Sequence, residues 1–339
     1  MEKKIEFWNE NISFGYTESR EMTTKYDLHC HNFYEIYFFV EGDVDYLVEG
    51  TYYKPEPGSL LLFAPNAFHG VKINSRAPYK RYTLHFDQNL LLPERRSFLM
   101  RALPEGNKES WGTIYYRKED TEKYDLQVYL SALRECAEMD EARREQMIPL
   151  CVEAVLSRIL LMREAGKEMA VREQKDTITE ILYYLNSHLQ EQVTLDELAE
   201  KFFISKHHLN KVFRKRTGTT VMDYLQRKRV SSAQQMLFLG YNAKEAAVQS
   251  GFGEYSSFYR AYVRVTGHEP SRDRGANHFA AEHEGEPPRD MLLTVRTTTV
   301  EPVSPGECFF LSRRPDFQAR RAEPVRPRVR CRRSPGGWR

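Results

Sequence analysis

Two stretches of the chain follow one plan, and that repetition restricts the fold more than any other feature. The first is VTLDELAEKFFISKHHLNKVFRKRTG, residues 193–218. Thr194 with Glu197 spells a capping box, in which each side chain satisfies the other's free amide at a helix start. Leu195, Leu198, Ala199 and Phe202 make an apolar face. A short turn through Phe203 and Ile204 leads to Ser205, a second N-cap. The next helix buries Leu209, Val212 and Phe213 and turns Lys206, His207, Asn210, Lys211 and Arg214 outward, until Gly218 stops it. The second stretch, NAKEAAVQSGFGEYSSFYRAYVRVTGHEPS (242–271), repeats the plan. Asn242 and Glu245 are its cap pair, Gly251 makes the turn, and Phe252, Phe258 and Tyr262 face inward. Tyr255, Ser256, Tyr259 and Arg260 face outward, with Ser257 beside them. A helix from about 221 to 239 joins the two units, with Tyr224, Leu225, Ala233, Met236 and Leu237 on its core side.

The charge of this region suits a polyanion. The whole chain of 339 residues carries a net charge of only +2. Between Phe203 and Arg229, however, eight Lys or Arg residues stand against one acid, Asp223. Such clustering attracts phosphate, whereas an isolated charge run is usually just a solvated helix face. Two helix–turn–helix units with long donors and an amide on the second helix have the means to read base edges in a major groove. The paired segments LAEKFFISKHHLNKVFRKRTG and SGFGEYSSFYRAYVRVTGHEPS resemble the AraC/XylS family of transcription regulators. The resemblance implies two recognition helices in successive major grooves. It puts base-touching positions at His207, Asn210 and Lys211 in the first unit and around Tyr255, Ser256 and Arg260 in the second. It also implies contact with RNA polymerase and activation more often than repression. Two departures are visible: Ala243 and Ala246 stand where the family has isoleucines, and Asp273 replaces an aromatic residue after Pro270–Ser271. Both predict a looser second unit.

Upstream the texture changes. EIYFFV, VDYLV, TYY, SLLLF and YKRYTLHF read as short strands separated by Glu41–Gly42, Glu49–Gly50 and Pro57–Gly58. Val44, Tyr46 and Val48 fall on one face, as a half-buried strand requires. Many short strands at this spacing predict a barrel or sandwich. From about 121 the period becomes helical: Leu126, Leu130 and Leu133 start one stripe, and Ile148, Val152, Val155, Ile159 and Met162 form another. Such stripes either pack on the barrel or pair with their copy in a second subunit. From 275 onward there are twelve arginines, no lysine and half of the chain's prolines, which predicts disorder.

The segment HCHNFYEIYFFVEG (29–42) carries the other candidate chemistry. On a regular strand alternate residues share a face, so His29, His31 and Glu35 converge inside the barrel. The spacing of His29, His31, Glu35 and Gly42 resembles the first motif of the cupin superfamily. In cupin enzymes a second motif supplies a fourth, histidine ligand. Here PGSLLLFAPNAFHG offers Pro57, Gly58, Pro65 and His69, but Ala67 replaces the expected glycine and His69 comes one residue early. Three readings are open for His29, His31 and Glu35. They are metal ligands, for which neutral imidazole and carboxylate suit a divalent transition ion. They bind a polar small molecule, with Tyr37, Phe39, Tyr46 and Tyr82 as walls. Or they are structural, with Glu35 paired to a cation such as Arg81. The second reading sets the expectation: His29, His31, Glu35, Tyr37, Tyr46, His69 and Tyr82 bind an effector, with no metal and no cofactor.

The expected architecture is α+β and multidomain: a cupin-like β-barrel sensor (1–120), a helical dimerisation or linker segment (121–175), an all-α tandem helix–turn–helix domain (176–274) and a disordered tail (275–339). The expected function is a sequence-specific, DNA-binding transcription regulator, more an activator than a repressor. It answers to a small polar effector such as a sugar, acts as a homodimer on double-stranded promoter DNA and is not an enzyme. Two alternatives stand: a metal-dependent cupin enzyme tethered to nucleic acid by its helices, and a regulator whose barrel only dimerises. Five scattered cysteines without a C-x-x-C pair fit a reducing cytoplasm. No signal peptide is visible at the N-terminus, and the longest apolar runs are too short to span a bilayer, so no membrane partner is expected. No P-loop, G-x-G-x-x-G or G-x-S-x-G motif is present.

Overall fold

The computed structural model describes residues 3–9, 11–104, 112–166, 176–275 and 294–299. Its strands are β1 (Lys3–Trp8), β2 (Ile12–Ser19), β3 (Asp27–His29), β4 (Tyr34–Glu41), β5 (Val44–Val48), β6 (Thr51–Tyr53), β7 (Leu60–Phe63), β8 (His69–Ile73), β9 (Tyr79–Phe86), β10 (Thr113–Tyr116) and β11 (Thr294–Thr299). They form two antiparallel sheets, one in the order β10-β7-β4-β9-β2-β1-β11 and the other in the order β3-β8-β5-β6. All five strands expected from sequence are present. The short or less aromatic strands β1, β2, β3, β8 and β10 were not expected.

The larger sheet is buried on both faces, which explains the unbroken aromatic run in EIYFFV. Tyr37 and Phe39 point inward and pack with Val44, Tyr46, Val48 and Phe63. Ile36 and Phe38 point the other way, into a core shared with helices. Those helices are α1 (Pro93–Met100), α2 (Lys118–Lys123), α3 (Leu126–Cys136) and α4 (Glu141–Glu164). Leu126, Leu130 and Leu133 of α3 and Ile148, Val152, Val155, Ile159 and Met162 of α4 are all buried in that core. The stripes therefore seal the outer face of the sheet, and they are not a free dimerisation seam. A different set, Val128 of α3 with Met147, Leu150 and Leu161 of α4, is exposed.

The remaining helices are α5 (Thr177–Ser187), α6 (Leu195–Lys201), α7 (Lys206–Thr217), α8 (Val221–Phe238), α9 (Ala243–Gln249), α10 (Tyr255–Thr266) and α11 (Pro270–Asp273). Both capping boxes form, Thr194 with Glu197 and Asn242 with Glu245. Gly218 and Gly267 end α7 and α10 in the left-handed region, at φ 79° and 81°, which glycine enters without steric penalty. Phe203, at φ 52° and 96% exposed, makes the first turn without a glycine.

The second unit closes by polar means. Asp273, expected to weaken it, is fully buried: its Oδ2 accepts from the Tyr262 hydroxyl and from Gln234 Nε2 (3.2 Å), and its Oδ1 lies 3.7 Å from His268 Nε2. Of the two small residues, Ala246 is buried in one core with Phe252 and Phe258, and Ala243 packs partly buried against it. Most of the tail expected to be disordered lies outside the described residues. Thr294–Thr299 departs from that expectation: it is a strand paired with β1. Its sequence, TVRTTT, is almost wholly β-branched, a composition that favours extended backbone. Asp273→Ala should leave the Tyr262 hydroxyl buried without an acceptor and cost about 1–3 kcal/mol. Urea unfolding followed by circular dichroism at 222 nm should show the helical domain melting at lower denaturant.

Candidate functional site

Strand register builds the inner site. β4 pairs with β9 so that Glu35 lies opposite His85, and β3 pairs with β8 so that His29 lies opposite His69. His31 follows β3 and bridges the two sheets. The Glu35 carboxylate is buried, with its Oε2 3.0 Å from His31 Nε2, 3.0 Å from His69 Nε2 and 3.5 Å from His85 Nε2. Donor atoms of His29, His31, Glu35 and His69 all lie within 4.8 Å of one another. His69 thus joins the site despite its irregular motif spacing. His29 is at the solvent-exposed rim.

The electrostatics are unusual. Burial holds the buried His31 imidazole down to about 3, so it is neutral near pH 7; His29, at the exposed rim, is lowered as well by the protein atoms crowding its ring and by His69. Burial pushes Glu35 upward, but His85, His31 and His69 outweigh it and keep the carboxyl well below the usual range. Phe33 stacks on His31 with centroids 4.1 Å apart, and Phe63 stacks on His69 at 4.2 Å. The donors are imidazole nitrogens and a carboxylate oxygen on a rigid sheet scaffold, a set that fits a divalent transition ion.

The other expected effector residues divide. Tyr37 and Tyr46 do face the interior, but their rings pack together (4.6 Å) and the Tyr37 and Tyr79 hydroxyls are hydrogen-bonded at 3.0 Å. Tyr82 is a correction: even-numbered β9 residues point to the helix side, where its hydroxyl is 3.3 Å from Ser131 Oγ. His85, three residues on and of opposite parity, takes the interior place. The alternation of Arg81, Thr83 and His85 could have identified it. Arg81 lies over the Tyr79 ring, 4.5 Å from its centroid, and so is not the partner of Glu35.

A second buried carboxylate joins the barrel to the helical domain. Glu49 and Gly50 turn β5 into β6, both at positive φ (46° and 79°). The Glu49 side chain enters the interface with α8. It accepts from Lys228 Nζ (2.5 Å), from the Phe68 backbone amide (2.8 Å) and from the Tyr224 hydroxyl. Lys228 also donates to the Asn66 carbonyl (2.5 Å), and Ser231 Oγ donates to Asn66 Oδ1 (2.6 Å). Phe68 of the barrel is buried in one core with Leu209 and Phe213 of α7 and Leu225 of α8, against which Leu28 and Cys30 pack. Sequence reasoning missed this junction. Its one signal was a glutamate at a hairpin position that normally takes Asn, Asp or Gly.

The outward face of each second helix is open. Lys206, His207, Lys211 and Arg214 of α7 are exposed, as are Tyr255, Ser256, Ser257 and Arg260 of α10. Lys206 pairs with Asp196 at 2.7 Å. Asn210 is only half-exposed, and its Oδ1 accepts from the Val221 amide at 3.3 Å, which ties it to the start of α8.

Comparison with known proteins agrees with this division. Residues 11–147 match the family model for the AraC-like ligand binding domain, and residues 198–276 match a helix–turn–helix domain model. An uncharacterized HTH-type transcriptional regulator of Bacillus subtilis, YbfI, is 26% identical over 235 residues, covering 68% of this chain and 81% of that protein. The HTH-type transcriptional activator AarP of Providencia stuartii is 28% identical over 99 residues, 29% of this chain and 73% of its own. A solved structure of ToxT from Vibrio cholerae aligns over 76% of this chain and 97% of its own, at 15% identity and a TM-score of 0.34. The chain belongs to the AraC family of transcription regulators, with a β-rich ligand-binding domain followed by a helical DNA-binding domain.

Glu49→Gln should leave the Lys228 ammonium buried without a counter-charge and cost about 3–5 kcal/mol. The double variant E49Q/K228M should recover most of that loss. A double-mutant cycle on thermal unfolding checks both, and additive losses would deny the pairing.

Proposed function

We propose that this chain is a homodimeric, sequence-specific transcription regulator in which a small polar effector, held at the barrel's His–Glu cluster, controls how α7 and α10 engage promoter DNA. The observation that carries this reading is that neighbouring residues in two segments face opposite ways. His29, His31 and His69 face the cluster, while Leu28, Cys30 and Phe68 beside them pack against the helical domain. An occupant of the cluster therefore acts one residue away from the contact that positions the first reader. A ligand with different affinity for two arrangements shifts the population between them.

Activation through RNA polymerase is favoured by the activator among the relatives. The cytoplasm suits a protein that works on DNA. Among the described residues no helix is long and apolar enough to cross a membrane. A sugar among the inner tyrosines would have to part Tyr37 from Tyr46, so a smaller polar group at the rim fits better. No reaction is needed of the cluster: sensing requires binding alone. The exposed set Met147, Leu150 and Leu161 on α4, with Val128 on α3, is the dimer face we favour, since the stripes expected for that purpose are spent on the barrel.

The deciding experiment is binding of the full chain to its own upstream DNA against random DNA, titrated with salt. A preference that persists at moderate salt supports base readout; equal affinities that vanish together would reduce it to phosphate attraction. Lys211→Ala and Arg260→Ala should each cost about 1–3 kcal/mol on the cognate site and less on random DNA. Leu150→Glu should convert dimer to monomer in analytical ultracentrifugation without lowering the helix content.

A further inference from the structure

The α3–α4 contact that seals the outer face of the larger sheet holds two nucleophiles that neither the cluster nor the readers use. Cys136 is the last residue of α3, Cys151 lies within α4, and their sulfurs stand 3.9 Å apart. Both thiols are free. Cys136 is fully buried, and Cys151 keeps 9% of its surface exposed. They share one apolar core with Leu133, Ile148, Val152 and Val155. Two sulfurs in contact can do what one cannot. Oxidation of a single thiol leaves a sulfenic acid for the core to hold, whereas a neighbouring thiol condenses with that acid to a disulfide.

Geometry and charge assign the roles. The Cys136 thiol is placed to donate to the Ala132 carbonyl (3.3 Å) or to Cys151 Sγ. Donation to a Cys151 thiolate holds that thiol below its ordinary value, while the same bond, together with burial, pushes Cys136 up. Arg144, bonded to the Cys136 carbonyl at 3.2 Å and the Met139 carbonyl at 2.6 Å, sets a positive charge beside the pair. Cys151, which also holds the exposed edge, is the attacking sulfur, and Cys136 resolves it. A disulfide is about 2.05 Å long, so the sulfurs must close by about 1.9 Å. Close packing leaves the two side chains little room to swing, and the backbone takes up the remainder. The soft point is α4. Pro149, two residues before Cys151, has no N–H, so the helix lacks a ladder bond there. Leu150 and Met147, exposed beside that point, move with it.

We propose that Cys136 and Cys151 form a peroxide-responsive thiol pair, a second input to this chain, and that closing their disulfide weakens the pairing of two copies through the α4 face at Met147 and Leu150. The first part stands on the thiol geometry alone; the second rests on the dimer face favoured above. The Cys151 thiolate attacks one oxygen of hydrogen peroxide. An S–O bond forms, the O–O bond breaks, and the departing hydroxide takes up a proton and leaves as water. The Cys136 sulfur then attacks the Cys151 sulfenic acid. The S–S bond forms, the S–O bond breaks, and a second water carries away the Cys136 proton. Two thiols are oxidised to one disulfide and one peroxide is reduced to two waters. Thiol–disulfide exchange with a reduced dithiol restores the pair.

The test uses the full chain carrying Cys308→Ser and Cys331→Ser, which leaves Cys30, Cys136 and Cys151. It is treated with hydrogen peroxide, blocked with iodoacetamide and digested with trypsin, which separates the pair at Arg143 and Arg144. Mass spectrometry should find the Cys136 and Cys151 peptides joined, lighter by two hydrogen atoms and parted again by dithiothreitol. Cys30 is the internal control: its Sγ lies 3.6 Å from the Arg227 carbonyl, burial pushes its thiol up to about 11, and it should stay reduced. Cys136→Ala and Cys151→Ala should each abolish the joined peptide while keeping the circular dichroism of the parent. In sedimentation the oxidised chain should dimerise about fivefold more weakly or worse, a shift absent from Cys136→Ala. No joined peptide from the folded chain, or cross-links that involve Cys30 instead, overturns the thiol pair. The bond formed with unchanged dimerisation overturns its control of the α4 face. A reduced chain that is monomeric at every concentration sinks the dimer reading, and with it the second part of the proposal, while the joined peptide still decides the first.

Discussion

Everything in the arrangement of reader and sensor depends on the burial of one carboxylate, that of Glu49. It sits in a hairpin turn at φ 46°, a region that costs a glutamate about 1–3 kcal/mol. Three donors converge on it: Lys228 and Tyr224 of α8, and the Phe68 amide just before β8. Both ends of the ion pair are almost completely removed from water. Without that convergence the turn would have no reason to hold a charged residue, and the barrel would present an unpaired charge to the apolar core around Phe68, Tyr224 and Phe213.

The β-strand's period of two makes this junction useful. Any strand whose two faces are both buried connects two environments through adjacent residues. In β4 those environments are the barrel core and the α3–α4 layer, and the result is stability. From Leu28 to His31, and again at Phe68–His69, they are the polar cluster and the DNA-binding domain. The same geometry there places the polar cluster back-to-back with the helical domain. No long chain of couplings is required between them.

The sequence made the helical domain legible almost residue by residue, because its signals are local. Capping boxes, the terminating Gly218 and Gly267 and the inward Leu209, Phe213, Phe258 and Tyr262 each follow from neighbours within one or two turns. The central strands were legible for the same reason. What escaped was non-local. Whether the stripe of Ile148, Val152 and Val155 met the barrel or a second subunit depended on which apolar surface it found first. Tyr82 was placed in the site because it is aromatic, when strand parity sends it outward and brings His85 in. Asp273 looked like a defect from its own position, and only the meeting with Tyr262 and Gln234 shows how it is satisfied. Glu49 and Lys228 are distant in sequence, and nothing in either neighbourhood names the other.

A junction built on a buried ion pair is also a poor source of net stability. The desolvation of Lys228 and Glu49 offsets most of their attraction, although removing one partner alone is costly. Closed and released arrangements of the two domains can then differ by only a few kcal/mol, even though the closed contact is stereochemically specific. Coupling energies between binding sites are commonly about 1–3 kcal/mol. The ion pair fixes where the reader sits while adding little net stability to that choice.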